Sequence, residues 1–184
     1  AEKSLGEKIN LNKEEKEIIG SYAATLVNDG QFIFLGPGTT ENHIIKHLEG
    51  KNITVATNGA FHVQELIRYN INTILLGGNV LTDIAVLVGP VALNQVANMN
   101  FDKCFIGASG ITLDKGISTS NIDVAEINKV VIDNSNEVFF IGDSTKFGKN
   151  SRYSFAELEE PYKLITTKQT DKKYKEDKKV IIID

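Results

Sequence analysis

The chain has 184 residues, of which 41% are hydrophobic, and its 20 basic and 24 acidic side chains give a formal net charge of −4. This balance disfavours a protein whose main task is to grip nucleic acid, because such proteins usually present a basic face. A single cysteine excludes an internal disulfide. No apolar stretch approaches the roughly 20 residues of a membrane span, and the N-terminus lacks the pattern of a signal peptide. We therefore expect one cytoplasmic domain without membrane contact.

Apolar runs and helical periodicities alternate along the chain. Residues 1–12 are polar and lack a period, which indicates a linker, whereas apolar residues recur at helical spacing over 13–28. Beyond this helix, the sequence predicts strands at 31–35, 53–57, 72–78, 101–110, 137–143, 163–166 and 180–184, and helices at 39–48, 59–69, 89–99 and 121–134, the last behind Ser120 as a possible cap. This alternation predicts an α/β fold, with a mostly parallel sheet flanked by helices on both faces.

The first predicted strand runs directly into the sequence GPGTT at 36–40. Gly36 and Gly38 allow a sharp turn and leave the backbone bare, and Thr39 can cap the helix that follows. A helix N-terminus offers free N–H groups and a positive dipole end, which suit a phosphate or another anion. The same residues also fit an ordinary strand–turn–helix connection, so the loop alone leaves both interpretations open.

The other predicted strands also end in small or polar residues. Ligands of open α/β sheets bind beyond the carboxyl ends of the strands. Five such ends together predict a polar pocket for a small, anionic, hydroxyl-rich ligand, with Lys146 as a point charge for a phosphate. The alternative for Lys146 is a solvent-facing side chain beside a turn. The candidate residues at the later strand ends are Asn58, Gly77, Gly78, Ser109, Gly110, Asp143 and Lys146.

Few residues could carry catalysis or hold a metal. His43 and His47 stand four residues apart on a predicted helix, a spacing that could hold zinc, but no cysteine or acidic residue completes a tetrahedral set. Asp143 could act as a base, and it equally suits a local Asx-turn. We predict neither a metal nor a cofactor. The charged stretch 171–179 is typical of a solvated helix face.

Seven motifs resemble the C-terminal effector-sensing domain of the DeoR family of bacterial transcription regulators, in order and in spacing, from about Ile18 to Asp184. They are GPGTT at 36–40, TN at 57–58, ILLGG at 74–78, LVGP at 87–90, FDKCFIGA at 101–108, GISTSN at 116–121 and the most specific, DSTKFG at 143–148. The resemblance implies a fold similar to those of ribose-5-phosphate isomerase and the CoA transferases. It also implies a homodimer or homotetramer.

The resemblance further implies a transcriptional regulator of carbohydrate metabolism, with repression as the expected mode and a phosphorylated sugar as the effector. The glycine–threonine loop would cradle the phosphate, and the remaining strand ends would meet the sugar hydroxyls. The effector-binding residues implied in this way are Gly36, Gly38, Thr39, Thr40, Asn58, Gly77, Gly78, Ser109, Gly110, Thr119, Asp143 and Lys146. Many family members carry Asp where this chain has Ser109, so the sugar contact there departs from the family pattern.

Members of the family read an operator with an N-terminal winged helix-turn-helix, and nothing before residue 13 could form one. We therefore expect residues 1–12 to be a linker remnant and residues 13–184 to form the effector-binding domain. In this arrangement, operator DNA is a partner only through the missing N-terminal domain.

A phosphosugar isomerase on the same fold is the alternative function. Isomerisation needs a carboxylate base. The isomerases that the chain resembles carry DGAD where this chain has IGAS at 106–109, and their TREK string aligns loosely with EINK at 126–129. Asn128 then stands at the base position, although a shift of one turn could bring in Glu126. A pocket that has lost its acids binds without turnover, so we expect a sensor with no catalytic residue and not an enzyme.

Overall fold

A seven-stranded sheet forms the centre of the computed structural model, which describes residues 3–10 and 12–184. The strands, in chain order, are β1 (Phe32–Leu35), β2 (Thr54–Thr57), β3 (Asn72–Leu75), β4 (Asn79–Leu81), β5 (Val86–Val88), β6 (Phe101–Gly107), β7 (Gly110–Thr112), β8 (Gly116–Thr119), β9 (Ser135–Ile141), β10 (Tyr153–Ala156), β11 (Lys163–Thr167) and β12 (Val180–Ile183). The central sheet has the order β12-β11-β9-β6-β1-β2-β3, and each neighbouring pair is parallel.

Helices cover both faces of this sheet. They are α1 (Leu5–Asn10), α2 (Lys13–Thr25), α3 (Thr39–Asn42), α4 (Val63–Arg68), α5 (Pro90–Ala97), α6 (Ile122–Asp133) and α7 (Lys172–Lys175). The inner strand β1 is apolar on both sides: Ile33 and Leu35 join a core with α2 and α4, whereas Phe34 joins a core with α5 and α6. The predicted α/β class and the two covered faces are confirmed. No helix of the described ranges is long and apolar enough to cross a membrane.

Two small antiparallel sheets interrupt the predicted alternation. The hairpin β4–β5 lies within residues for which the sequence predicts the end of a strand and a loop, and β7, β8 and β10 form a three-stranded sheet. Their strands are only three or four residues long. Such short segments carry too little periodicity to stand out beside the longer buried strands.

Three local predictions differ from the structure. Thr39 is the first residue of α3 and does not cap it, because the N-cap position belongs to Gly38. Ser120 does not cap α6, because Asn121 occupies the N-cap and its side chain accepts hydrogen bonds from two backbone N–H groups of the first turn. The helix α1 lies inside the segment for which the sequence predicts a linker, and Ser4 and Glu7 bond to each other across its first turn.

The helix α2 packs closely against the segment that follows β1. Gly20 is buried in α2, and a Cβ atom added there would lie 2.5 Å from the carbonyl carbon and oxygen of His43. This distance is too short for any side chain, so glycine sets how near the two backbones can approach.

Replacing Gly20 with Ala is expected to lower the free energy of unfolding by about 1–3 kcal/mol, because the added methyl group must push two backbones apart. This loss is the expected net effect, since the steric cost also cancels the gain of about 1 kcal/mol in helix propensity that alanine brings. Urea unfolding monitored by circular dichroism measures the change. Gly6→Ala in α1 is the matched control, since nothing lies within 4 Å of its added Cβ. Equal stability of Gly20→Ala and the natural chain would contradict the close packing.

Candidate functional site

A cavity of about 690 Å³ lies at the carboxyl ends of β1 and β6. Residues 37–41, after β1, and residues 107–109, at the end of β6, form two of its walls. The other walls come from the end of β8 with the start of α6, from the segment 145–151, from Ile84 and Val86 of the hairpin β4–β5, and from N-terminal residues between Lys3 and Lys16. This is the edge at which ligands of open α/β sheets bind.

Six of the twelve predicted effector-binding residues line this cavity. They come from four separate segments, and the parallel order of β1, β6 and β9 brings their ends together. The six are Gly38, Thr39, Thr40, Ser109, Thr119 and Lys146.

Asn58, Gly77 and Gly78 do not line the cavity, because the hairpin β4–β5 covers the ends of β2 and β3. Asn58 is fully buried, and its amide donates to the carbonyl of Leu87 at 3.3 Å. Gly78 has a φ of +128°, and a Cβ there would lie 2.5 Å from the carbonyl oxygen of Val88. Gly78 therefore lets the hairpin approach closely, Asn58 bonds to it, and Gly77 instead donates its N–H to Gln95 of α5 at 2.7 Å.

Three further predicted residues lie beside the cavity wall without forming part of it. The carbonyl of Gly36 accepts a hydrogen bond from His62 Nε2 at 2.8 Å. Gly110 packs against backbone, since a Cβ there would lie 2.4 Å from the carbonyl oxygen of Lys149. Asp143 is fully buried, and its Oδ1 accepts from the N–H of Thr145 at 2.9 Å. The Asx-turn anticipated for Asp143 is thus confirmed.

The space above the loop glycines is occupied by the carboxylate of Glu41. Its Oε2 accepts hydrogen bonds from the N–H groups of Gly38, at 2.9 Å, and Gly107, at 3.1 Å. Added Cβ atoms at Gly36, Gly38 and Gly107 would lie 2.4–2.6 Å from the carboxylate oxygens. The sequence predicts bare glycines that admit a ligand phosphate, whereas in the structure these glycines make room for an internal carboxylate.

Glu41 is only 1% exposed, and its Oε1 has no hydrogen-bond partner among the described residues. Desolvation raises the pKa of this carboxyl group, although the hydrogen bonds from Gly38 and Gly107 and the charge of Lys16 act in the opposite direction. A buried, incompletely bonded carboxylate is costly. The site therefore keeps Glu41 at the expense of stability.

Lysines dominate the charge of the cavity wall. Among the described lining residues, five are lysines and only Glu41 is acidic. Burial lowers the pKa of Lys146, and the charge of Asp143 opposes this shift. The lining lysines are Lys3, Lys8, Lys16, Lys146 and Lys149.

The loop that carries Lys146 is held by α2. Glu15 accepts hydrogen bonds from the backbone N–H of Ser144 at 3.0 Å and from its hydroxyl at 2.9 Å. The hydroxyl of Thr167 also donates to Glu15. Nothing in the sequence pattern singles out Glu15, because alternating acidic and basic residues are usual at the start of an exposed helix.

His62 fixes both ends of the loop after β1. It is fully buried, its Nε2 donates to the Gly36 carbonyl, and its Nδ1 accepts from the Asn42 amide at 3.0 Å. Burial lowers the pKa of His62 to about 4, whereas the bond to Gly36 opposes the shift. The ring is therefore neutral at physiological pH and acts as a structural brace.

Among the described residues, neither Glu126 nor the pair His43 and His47 lines the cavity. Asn128 lines it, and its Oδ1 has no partner among the described residues, whereas Glu126 is exposed on α6 and is not part of the wall. His43 and His47 both bind Glu17, at 3.0 and 2.7 Å. No group of three metal-binding side chains occurs within the described ranges.

Replacing Glu41 with Gln is expected to change the pH dependence of stability. The pKa of Glu41 is higher in the folded chain than its ordinary value of 4.5, so the unfolded chain ionises first as the pH rises. As the pH rises from 4 to 8, the free energy of unfolding of the natural chain should therefore fall relative to that of Glu41→Gln. Urea unfolding at both pH values measures this difference. Glu126→Gln, at an exposed site, should show no such trend, and a pH-independent difference for Glu41→Gln would contradict the expectation.

Comparison with solved structures agrees with the observed fold. A ribose 5-phosphate isomerase A from Neisseria gonorrhoeae superposes with a TM-score of 0.53 at 22% identity, over 74% of this chain and 53% of that one. The translation initiation factor eIF-2B of Pyrococcus horikoshii gives a TM-score of 0.57 at 18% identity, over 76% of this chain and 50% of that one. At these identities the likeness concerns the fold alone, and it confirms the predicted similarity to ribose-5-phosphate isomerase.

Sequence relatives are more similar. The chain is 34% identical over 156 residues to the uncharacterized HTH-type transcriptional regulator FruR of Bacillus subtilis, covering 84% of the chain and 62% of the relative. It is 34% identical over 171 residues to GolR of Listeria innocua, covering 92% and 67%. A lactose phosphotransferase system repressor of Staphylococcus epidermidis is 31% identical over 156 residues, covering 83% and 62%. The chain thus spans about two thirds of the length of these relatives.

Residues 11–168 match the family model described as the DeoR C terminal sensor domain. The match includes the segments that form the cavity wall from Asn12 to Ser151. The chain therefore belongs to the DeoR family of sensor domains.

Proposed function

We propose that this sensor domain binds a phosphorylated sugar in the cavity at the ends of β1 and β6. The observation that carries the proposal is the charge of the wall, in which five lysines face one buried carboxylate. Such an excess of ammonium groups in a partly enclosed site attracts a small anion and strengthens each contact with it.

The phosphate would lie against Lys146 and Lys149, which belong to one segment of the wall. Ammonium groups bind phosphate through charge-assisted hydrogen bonds. Thr39 and Thr40 line the same cavity, at the start of α3. The N–H of Gly38 already donates to Glu41, so it is not free to bind the phosphate. The main contacts to the phosphate in this proposal are therefore lysine and threonine side chains.

The remaining wall suits a hydroxyl-rich body. Ser109, Thr119 and Asn128 line the cavity with groups that can exchange hydrogen bonds with sugar hydroxyls. About 690 Å³ is a usual size for a small-molecule site. Gly36, Gly110 and Asp143 would act indirectly, by holding the segments that carry the contacts.

The domain is a regulatory sensor and not an enzyme, in keeping with relatives that are named as transcriptional regulators and repressors. We further propose that it regulates genes of carbohydrate metabolism from the cytoplasm, as part of a homodimer or homotetramer. Operator DNA would be contacted by a separate winged helix-turn-helix domain, with residues 1–12 as linker and residues 13–184 as the effector-binding domain. The effector would act by binding one arrangement of these domains more tightly than the other.

A saturating sugar phosphate should stabilise the chain, by about 2.7 kcal/mol at a hundredfold excess over Kd. Thermal unfolding with ribose 5-phosphate, fructose 1-phosphate, fructose 6-phosphate and glucose 6-phosphate tests this, with each free sugar as its control. The free sugars should give far smaller shifts, because they lack the charge that the lysines bind. A panel in which sugars and sugar phosphates act alike would contradict the proposal.

Replacing Lys146 with Met should weaken binding of the best sugar phosphate by about 1.5–3 kcal/mol, the usual contribution of a hydrogen bond to a charged group. Isothermal titration calorimetry measures the change. Lys129→Met is the matched control, because Lys129 is exposed on α6 outside the cavity wall. If both variants bind with the affinity of the natural chain, the phosphate lies elsewhere.

A further inference from the structure

Lys16 is an almost completely buried lysine on the wall of the cavity. Its side chain belongs to α2, is 3% exposed, and lies on the same buried face as Gly20 and Ala23. The ammonium group donates to the carbonyl oxygen of Lys8 at 2.7 Å and to Thr39 Oγ1 at 2.9 Å. It therefore joins α1 to the first residue of α3.

The charge of Lys16 is not neutralised by a direct partner. Among the described residues, no carboxylate forms an ion pair with its ammonium group, and both of its hydrogen-bond acceptors are uncharged. Asp143 and Glu41 act on it only at longer range, and Lys8 and Lys146 repel it. Burial lowers the pKa of Lys16, which reports the cost of keeping this ammonium away from water.

An ammonium group has three N–H donors, and two of them bind the neighbouring oxygens. A ligand anion in the cavity would offer the third donor an acceptor and the charge a counterion. A buried charge that lacks a partner is costly in the empty chain, so the same charge gains more than an exposed lysine when an anion arrives.

Building on the proposed function, we propose that Lys16 binds the anionic group of the ligand and thereby couples occupancy of the cavity to the docking of α1. The ligand completes the bonds of Lys16 without displacing the Lys8 carbonyl, so it strengthens the connection between α1 and the start of α3. Lys3 and Lys8, which flank or belong to α1 and line the same cavity, add charge to that connection.

The binding half of this proposal is tested by calorimetry with inorganic phosphate and with the best sugar phosphate of the thermal screen. Lys16→Met should weaken binding of both probes about 10- to 100-fold, because one charge-assisted contact is lost from each. Lys13→Met is the matched control, since Lys13 is exposed on the same helix and does not line the cavity. Affinity of Lys16→Met equal to that of Lys13→Met would overturn the assignment.

The coupling half is tested on the natural chain by hydrogen–deuterium exchange, which requires no variant to fold. Saturating sugar phosphate should slow amide exchange in the peptide that contains α1 several-fold, and Lys16→Met should abolish this protection at ligand saturation. Unchanged exchange of α1 in the saturated natural chain would overturn the coupling. If the natural chain binds neither inorganic phosphate nor any sugar phosphate of the panel, the proposed function itself fails, an outcome distinct from binding that does not depend on Lys16.

Discussion

The buried carboxylate of Glu41 sets the geometry on which the cavity depends. Through one oxygen it joins the N–H group of Gly38, after β1, to that of Gly107, at the end of β6. Gly36, Gly38 and Gly107 leave room for this carboxylate, since a Cβ on any of them would lie within 2.6 Å of one of its oxygens. One side chain thus fixes two neighbouring strand ends. It also fixes the turn that positions Thr39 and Thr40.

This arrangement places the buried carboxyl groups of Glu41 and Asp143 near lysines of the cavity wall. Glu41 and Asp143 are both buried with one oxygen unpartnered among the described residues, and the charges of both act on the buried ammonium group of Lys16. Burying polar and ionisable groups in this way carries a desolvation cost. A region that is costly when empty and favourable when an anion enters is suited to sensing, because ligand binding then changes the stability of the surrounding segments.

Long apolar strands and their alternation with helices were predictable from sequence, because β1, β6 and β9 are buried on both faces and read as continuous apolar runs. The surroundings of the ends of β2 and β3 could not be predicted from sequence. Asn58, Gly77 and Gly78 could face a ligand there, but they are equally compatible with packing by the hairpin β4–β5. A glycine in the sequence indicates that another group lies close to the backbone there, but it does not identify that group. At Gly36 and Gly38 the group is the carboxylate of Glu41, which lies five and three residues further along the chain. Lys16 carried a usable signal, because it falls on the apolar face of a predicted helix. Its partner, the Lys8 carbonyl, lies in a segment whose polar sequence indicates no structure.

Three consecutive residues of α2 connect it to three different parts of the chain. Glu15 holds the loop of Ser144, and Lys16 holds the Lys8 carbonyl and Thr39. Glu17 binds His43, Lys46 and His47, and these bonds lower its pKa to about 2 although burial alone would raise it. Neighbouring residues on a helix point in different directions, about 100° apart, so one short charged stretch can reach all three segments. A displacement of α2 would therefore disturb the Lys146 loop, α1 and the segment after β1 together. The helix α2 is thus the element that joins the cavity wall to α1, which precedes it in the chain.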